Sequence, residues 1–354
     1  MTLLNPCIKA VGPKDAKIVL VGEAPGEQEE RVGIPFIGWS GQELNRLLLQ
    51  AGLNRADLYL TNVLFSRPPD NKLEVFCVKK EQLPAGYSLS ALSPGKYLHP
   101  DLLPELERLW GELRDVRPNL IIAAGATATW AILALNGITR LRGTLHQSRL
   151  GKVLPIFHPA VLARDWTVRP IIVADLCKAF IEQDFPEIRR PERHVLIDPT
   201  IEEVEEYCAS LLSAKLIACD IETRSGSIAC LGFADSPVRA VVIPFFDARK
   251  LNSDPELGLF PGSYWTRQGE IRARRAINRV LSSDVPKLFQ NGLYDVQYLL
   301  REGFRIRAVQ EDTMIQHHAL YPEMPKSLSF LGSIYANESA WKLLSHRGDG
   351  DKDD

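Results

Sequence analysis

The chain has 354 residues, 45% of them hydrophobic and 24% charged, with a formal net charge of -2. That length supplies two cores and the composition excludes a disordered or fibrous chain, while a near-neutral total neither demands nor forbids nucleic acid, because a basic groove can sit on a neutral protein. No apolar run reaches membrane-spanning length and no basic-then-apolar leader opens the chain, so no membrane partner is expected and a cytoplasmic location is. The cysteines, Cys7, Cys77, Cys177, Cys208, Cys219 and Cys230, form no C-x-x-C pair and read as core filler.

Up to about Ala179, short β-like runs alternate with helical patterns: "AKIVLVG", "GQELNRLLLQAG", "DLYLTNVLF", "LLPELERLWGELRDV", "NLIIAAGATATWAILAL" and "KVLPIFHPA". That order predicts an α/β domain with a mostly parallel sheet over residues 1–185. The polar, proline-marked "EQDFPEIRRPERH" predicts a linker at 186–194, and residues 195–354 form a second domain. There the helical "TIEEVEEYCASLLSA" precedes three strands, "KLIACDIET", "SIACLGFAD" and "VRAVVIPFF", then the helix "EIRARRAINRVLSS", the strand "PKLFQ" and the helix "YDVQYLLREG", a mixed-sheet pattern.

Chemistry gathers where strands of the first half end. "VGEAPGEQEERVGIPFIGWSG" places a glycine turn and several acids after the run Ile18–Val21, at the end of the sheet where open α/β folds form their crevice. It lacks the G-K-[ST] of a P-loop and the G-x-G-x-x-G of a dinucleotide site, and its acids repel phosphate. Asn62, after "LYLT", presents a donor and an acceptor on one planar amide, matching a pyrimidine edge. Phe36 offers a flat stacking face, and His158 follows "VLPIF" and is held by Pro159. A carboxylate, an amide, an aromatic face and a histidine are the set needed to hold a flipped base while its glycosidic bond breaks.

The strings "GEAPGEQEERVGIPFIGWSGQELNRLLLQAGL", "YLTNVLFSRPPDN" and "FHPAVLAR" resemble the family 4 uracil-DNA glycosylases over roughly residues 5 to 180. The resemblance implies a uracil-DNA glycosylase-like three-layer α/β/α domain that hydrolyses the N-glycosidic bond of deoxyuridine in DNA. By it Glu23 positions or activates water with Glu29 as helper, Ala24, Pro25 and Gly26 shape the pocket, and Phe36 stacks on uracil. Asn62 reads the polar edge of the base, His158 donates toward O2, and Val161, Leu162 and Arg164 enter the duplex. That family holds an iron-sulfur cluster on four cysteines. Here Ser66 stands in "SRPP" and only Cys7 and Cys77 are near the required places, so no cluster is expected, and the glycosylase needs no cofactor.

In the second half, Asp220 and Glu222 leave one face of "ACDIETRSG", and Asp295 starts a helix in "FQNGLYD". Carboxylates from separated elements can hold divalent ions around a phosphate. "DIETRSG", "NGLYDVQYL" and "EDTMIQHHALYPEMPKSLSFLGSIYANESAWK" resemble the 3'-5' exonuclease domain of family A DNA polymerases, bacteriophage forms above all. This implies an RNase H-like (DnaQ-like exonuclease) mixed α/β domain with Asp220, Glu222 and Asp295 as ligands for Mg2+ or Mn2+. The fourth carboxylate of that pattern is missing: "WKLLSHRGDGDKDD" reads as a disordered acidic tail. Two explanations stay open, the front of a longer polymerase or a stand-alone fusion whose second domain only grips DNA. The expected partners are uracil-containing DNA and a polymerase region or replication machinery, in a bacterial cytoplasm or that of a phage's host. The alternative function is a 3'-5' exonuclease or polymerase N-terminal fragment whose degenerate glycosylase domain only binds DNA. In the helix "RQGEIRARRAINR", Arg267, Arg272, Arg274, Arg275 and Arg279 are compatible with backbone contact.

Overall fold

The computed structural model describes residues 8–250 and 261–336, in two units. The first comprises the described residues up to Arg189 and those from Ser329 on. Its chain order is β1 (Ile18–Gly22), α1 (Glu27–Val32), α2 (Trp39–Gln50), β2 (Leu58–Asn62), the small hairpin β3 (Cys77–Val78) and β4 (Tyr97–Leu98), α3 (Leu103–Val116), β5 (Leu120–Ala124), α4 (Ala126–Leu133), α5 (Ile138–Leu141), β6 (His146–Ser148), β7 (Gly151–Ile156) and α6 (Arg169–Glu182). The sheet order is β2-β1-β5-β7-β6, parallel except for the β6–β7 hairpin.

β1 and β5 are apolar at every position and wholly buried, as strands covered on both faces must be. On one face Leu44, Leu47 and Leu48 of α2 and Ile172 and Leu176 of α6 share a core with Leu20, Leu60, Ile122 and Leu154. On the other, Leu106, Leu109 and Leu113 of α3 and Trp130 of α4 pack with Val19, Val21, Ile121 and Val153. The helical spacing of Leu44, Leu47 and Leu48 makes one buried stripe, and truncating any one of these three to alanine costs about 2–5 kcal/mol. The parallel order leaves the carboxyl ends of β1, β2, β5 and β7 on one edge, and that edge carries the site.

The second unit, Arg190–Leu328, contains β8 (His194–Leu196), α7 (Ile201–Leu211), β9 (Ile217–Arg224), β10 (Ser227–Ser236), β11 (Arg239–Pro244), α8 (Arg267–Leu281), β12 (Lys287–Phe289), α9 (Gly292–Arg301), β13 (Val309–Asp312) and α10 (Thr313–Leu320). Its sheet order is β13-β12-β9-β10-β11-β8: the antiparallel meander β9-β10-β11 is flanked by β12 parallel to β9 and by β8 parallel to β11. This is a mixed α/β domain. Its core joins Phe233, Ile221 and Val241 of the meander to Val204 of α7, Ile277 of α8 and Leu299 of α9.

α11 (Leu328–Tyr335) follows, and its residues from Ser329 on pack in the first unit, whereas the sequence reading assigns them to the second domain. The buried Arg142 donates through Nε to Asp175 at 2.8 Å and through Nη1 to Ser333 Oγ at 2.8 Å. Lys178 Nζ donates to the carbonyls of Gly143 at 2.6 Å and Ser333 at 2.7 Å. Burial, with the Arg142 charge nearby, holds this ammonium down to about 8 against the pull of Asp175. Among the described cysteines, Cys208 and Cys219 are buried as core filler, but Cys177 is exposed because it lies on the outer face of α6. Cys7 and the acidic end of the chain lie outside the described residues. Among those residues no helix is long and apolar enough to cross a membrane.

Candidate functional site

Four strand ends and the loops after them enclose a cavity of about 560 Å³. Glu23, Ala24, Pro25, Gly26 and Glu29 line it from the β1 side, Asn62 from β2, and His158, Val161 and Arg164 from the segment after β7, with Phe36 between. Its floor requires glycine. A Cβ on Gly22, paired with Asn62 across β1 and β2, would lie 2.4 Å from Asn62 Oδ1 and 2.6 Å from the Phe36 ring.

Phe36 is an aromatic residue in the left-handed region, φ 56°, a conformation that costs a bulky side chain on the order of 1–3 kcal/mol. Three groups hold it there. Arg55 donates to the carbonyls of Pro35 at 2.9 Å and Phe36 at 3.0 Å. Gly41 leaves room for the turn, because a Cβ there would meet Phe36 O at 2.0 Å. Glu29, only 6% exposed, accepts from the amides of Ile37 at 3.1 Å and Gly38 at 2.9 Å with one oxygen. That oxygen is committed to the loop, so the carboxylate expected to help with water also fixes the stacking ring.

His158 ends the β7 segment and caps a short 3-10 turn: its Nδ1 accepts from Ala160 N–H at 3.2 Å. Nδ1 is therefore an acceptor, which leaves the proton of a neutral ring on Nε2. Burial holds the imidazole down to about 4, against the pull of Glu29, so at neutral pH it is an uncharged donor. Its ring faces Phe36 at 6.4 Å between centroids with the planes 28° apart. Glu23 accepts at 2.5 Å from Thr127 Oγ1, at the start of α4. Sequence reasoning missed Thr127; its signal was "GATAT" directly after β5, another strand end on the same edge. Asn62 is held through its backbone, whose carbonyl accepts from Arg108 Nη2 at 2.8 Å.

Leu162 corrects one expectation. It is 4% exposed and packs in the core with Leu44 and Ile172, because the 3-10 turn after His158 rotates it inward, so it cannot enter a duplex as it stands. Val161 is partly buried on the cavity wall and Arg164 is exposed there.

On the flank where the resembled family holds its cluster, Ser66 is buried with no hydrogen-bond partner for its hydroxyl, and Cys77 donates weakly to Leu73 O at 3.6 Å. Burial pushes the Cys77 thiol up, away from the thiolate a metal needs. Phe76, Leu92, Leu98 and Leu102 belong to the apolar core against which Cys77 packs. The described residues do not fit a four-thiolate group.

In the second unit Asp295 is buried, and its carboxylate accepts from Ile221 N–H at 3.0 Å. Desolvation, then the charge of Asp220, raises it to about 6. Asp220 and Glu222 stand exposed on β9. A further acid, Asp312, is occupied as the cap of α10 and by the amide of Gly292 at 2.7 Å. Among the described residues no three His, Cys, Asp or Glu side chains gather as metal ligands in this conformation. On α8, Arg272 pairs with Glu202 and Glu205 and Arg274 with Glu270 and Glu302, which removes two of the five expected cations from the basic stripe.

Residues 9–181 match the uracil DNA glycosylase superfamily. The type-4 uracil-DNA glycosylase of Thermotoga maritima is 33% identical over 180 residues, 49% of this chain and 82% of that protein. A DNA polymerase of Bacillus phage SP01 is 23% identical over 225 residues, 61% of this chain but only 22% of the polymerase. Among solved structures, Escherichia coli RNase D, an exoribonuclease involved in structured RNA processing, is similar with TM-score 0.29 at 15% identity, over 42% of this chain and 34% of that one.

Proposed function

The chain belongs to the uracil DNA glycosylase superfamily, and we propose that its first unit hydrolyses the N-glycosidic bond of deoxyuridine in DNA. The observation that carries this reading is the convergence of Glu23, Phe36, Asn62 and a neutral His158 on one cavity. In the proposed mechanism a flipped uracil stacks on Phe36, and the Asn62 amide pairs with its O4 and N3–H edge. The C1'–N1 bond breaks with its electron pair leaving on the base, and the neutral His158 donates its Nε2–H toward O2 without transferring the proton. One such donor, aimed at charge that exists only in the transition state, contributes about 3 kcal/mol. The sugar becomes oxocarbenium-like. Glu23, steadied by Thr127, favours that cation, orients the water that attacks C1' and takes its proton, which passes on to the uracil anion. Arg164 and Val161 fill the place the nucleotide leaves in the strand.

For the second unit we propose a DNA-holding role, as an exonuclease-like domain without a working two-ion centre. The likeness to a phage DNA polymerase supports replication machinery as the setting. The deciding experiment incubates the full chain with end-labelled DNA containing one uracil, in chelator, and then adds alkali. Breakage at uracil only after alkali is the expected result. Excision that disappears in chelator and returns with magnesium, or cutting without alkali, overturns the assignment. Elemental analysis is expected to find no stoichiometric iron.

A further inference from the structure

A second cavity, about 470 Å³, lies in the second unit and shares no residue with the carboxylates Asp220, Glu222 and Asp295. Three guanidiniums, of Arg224, Arg274 and Arg301, line it with a single carboxylate, Glu302, over an apolar wall that includes Phe245 and Phe246. The one acid is consumed locally: its oxygens accept from the Ile228 amide at 2.7 Å and from Arg274 at 3.1 Å. Arg274 is further held by Glu270 at 2.8 Å and lies 5.0 Å from the Phe245 ring, so it is a fixed part of the wall with Nη1 engaged by neither carboxylate. Arg224, at the end of β9, rests over Phe246 at 4.2 Å, and Arg301, at the end of α9, over Tyr298 at 4.6 Å. Neither pairs with a carboxylate among the described residues. Aromatic stacking pre-orders both guanidiniums while leaving their N–H edges open.

Two guanidiniums stacked on aromatic rings and paired with no carboxylate among the described residues, beside a third, form a receptor for a doubly charged tetrahedral anion. The apolar wall and the volume, within the range of small-molecule sites, add room for an attached sugar and ring. We infer that this cavity is a nucleotide-phosphate site: Arg224 and Arg301 clamp the phosphate of a nucleotide, and Phe246 and Phe245 border its organic part. The phosphate could belong to a free mononucleotide or to a strand terminus. The inference draws on the DNA-holding role proposed for the second unit only for the strand source, and free nucleotide tests the pocket without DNA.

The test uses the full chain in chelator, which silences any ion at the carboxylates, and measures binding of dTMP, thymidine, and an oligothymidylate with and without a 5'-phosphate. dTMP is expected to bind at least tenfold more tightly than thymidine, and R224A and R301A each to lose at least tenfold for dTMP. Both arginines are exposed, so folding is checked by an unchanged melting transition and unchanged uracil excision at saturating substrate. If the 5'-phosphorylated oligomer gains over its unphosphorylated form, the strand terminus is the source; if only dTMP binds, the free nucleotide is. The inference is overturned if dTMP binds no better than thymidine, or if R224A and R301A bind it as the parent does. Failed excision with intact dTMP binding would sink the glycosylase reading and leave this one standing.

Discussion

Lowering pH is the sharpest probe of the first unit, because His158 should act as a neutral donor. Its imidazole is held down to about 4 from 6.5 by burial, and its Nδ1 already accepts from Ala160 N–H. Single-turnover excision should therefore stay flat from about pH 8 to about pH 5, where an ordinary histidine would have become charged. Stability supplies an independent reading of the same group. A folded value below the unfolded one means the unfolded chain binds the extra proton, so stability from this residue is complete above about pH 6.5 and lost as pH falls toward 4. The shift corresponds to ~3 kcal/mol, an upper figure because the ring is only partly buried. Asp295 runs the other way: raised to about 6, it favours folding of the second unit at low pH and loses that contribution as pH rises through 6. Acid titration followed by separate probes in each unit should show opposite slopes. H158A should lower the chemical step about 100- to 1,000-fold with little change in folding at neutral pH. A rate that climbs roughly tenfold per unit below about pH 6.5 would mean that imidazolium, not imidazole, is the working donor, and the reasoning would fail.

Asn62→Asp should weaken uracil discrimination, since an acceptor replaces the donors that face uracil O4 and suits the cytosine amino group instead; parental rates on both bases would refute the edge-reading role. Thr127→Val should reduce the single-turnover rate roughly 5- to 100-fold through loss of the 2.5 Å bond to Glu23, with substrate affinity unchanged and T127S restoring most of the rate; an unaltered rate would remove Glu23 orientation from the mechanism. The full chain should degrade unmodified single-stranded DNA weakly or not at all in magnesium or manganese, because no three ligating side chains gather among its described residues. Brisk degradation abolished by D220A would show that a ligand comes from elsewhere.

That Glu23, Asn62 and His158 share one cavity is legible in the sequence because parallel strands deliver their carboxyl ends to one edge, so a polar side chain directly after an apolar run has a known destination. What the sequence hid depends on contacts between distant residues. The left-handed turn at Phe36 is held by Arg55 and Gly41, and nothing in "IPFIGWSG" announces it. Thr127 meets Glu23 across 104 residues. Leu162 faces inward because Pro159–Ala163 forms a 3-10 turn, and nothing in "FHPAVLAR" announces which of its side chains that turn buries. In the second unit β8 and β13 have no sequence signal: they are short edge strands, and polar residues such as Gln310 and Glu311 leave no alternation to read. The carboxylates there were found by residue type, yet their grouping is a tertiary property, and Asp312 was consumed as a helix cap.

The acids crowded around the glycine turn looked hostile to DNA, and their partners explain why they can be tolerated. Glu29 is spent on two backbone amides and Glu23 on a threonine hydroxyl, so neither is a bare charge facing a phosphate. What remains is a gradient. The carboxylate of Glu23 sits with the β1 loop, while Asn62 and the Nε2–H of His158 belong to the β2 and β7 ends. Breaking a glycosidic bond separates a cation on the sugar from an anion on the base, and a cavity with one negative wall and one neutral donor wall stabilises both ends of that separation. An imidazolium in place of the neutral ring would attract the carboxylates and shorten the gradient. Burial that keeps His158 uncharged is therefore part of the same design as the acids that surround the turn.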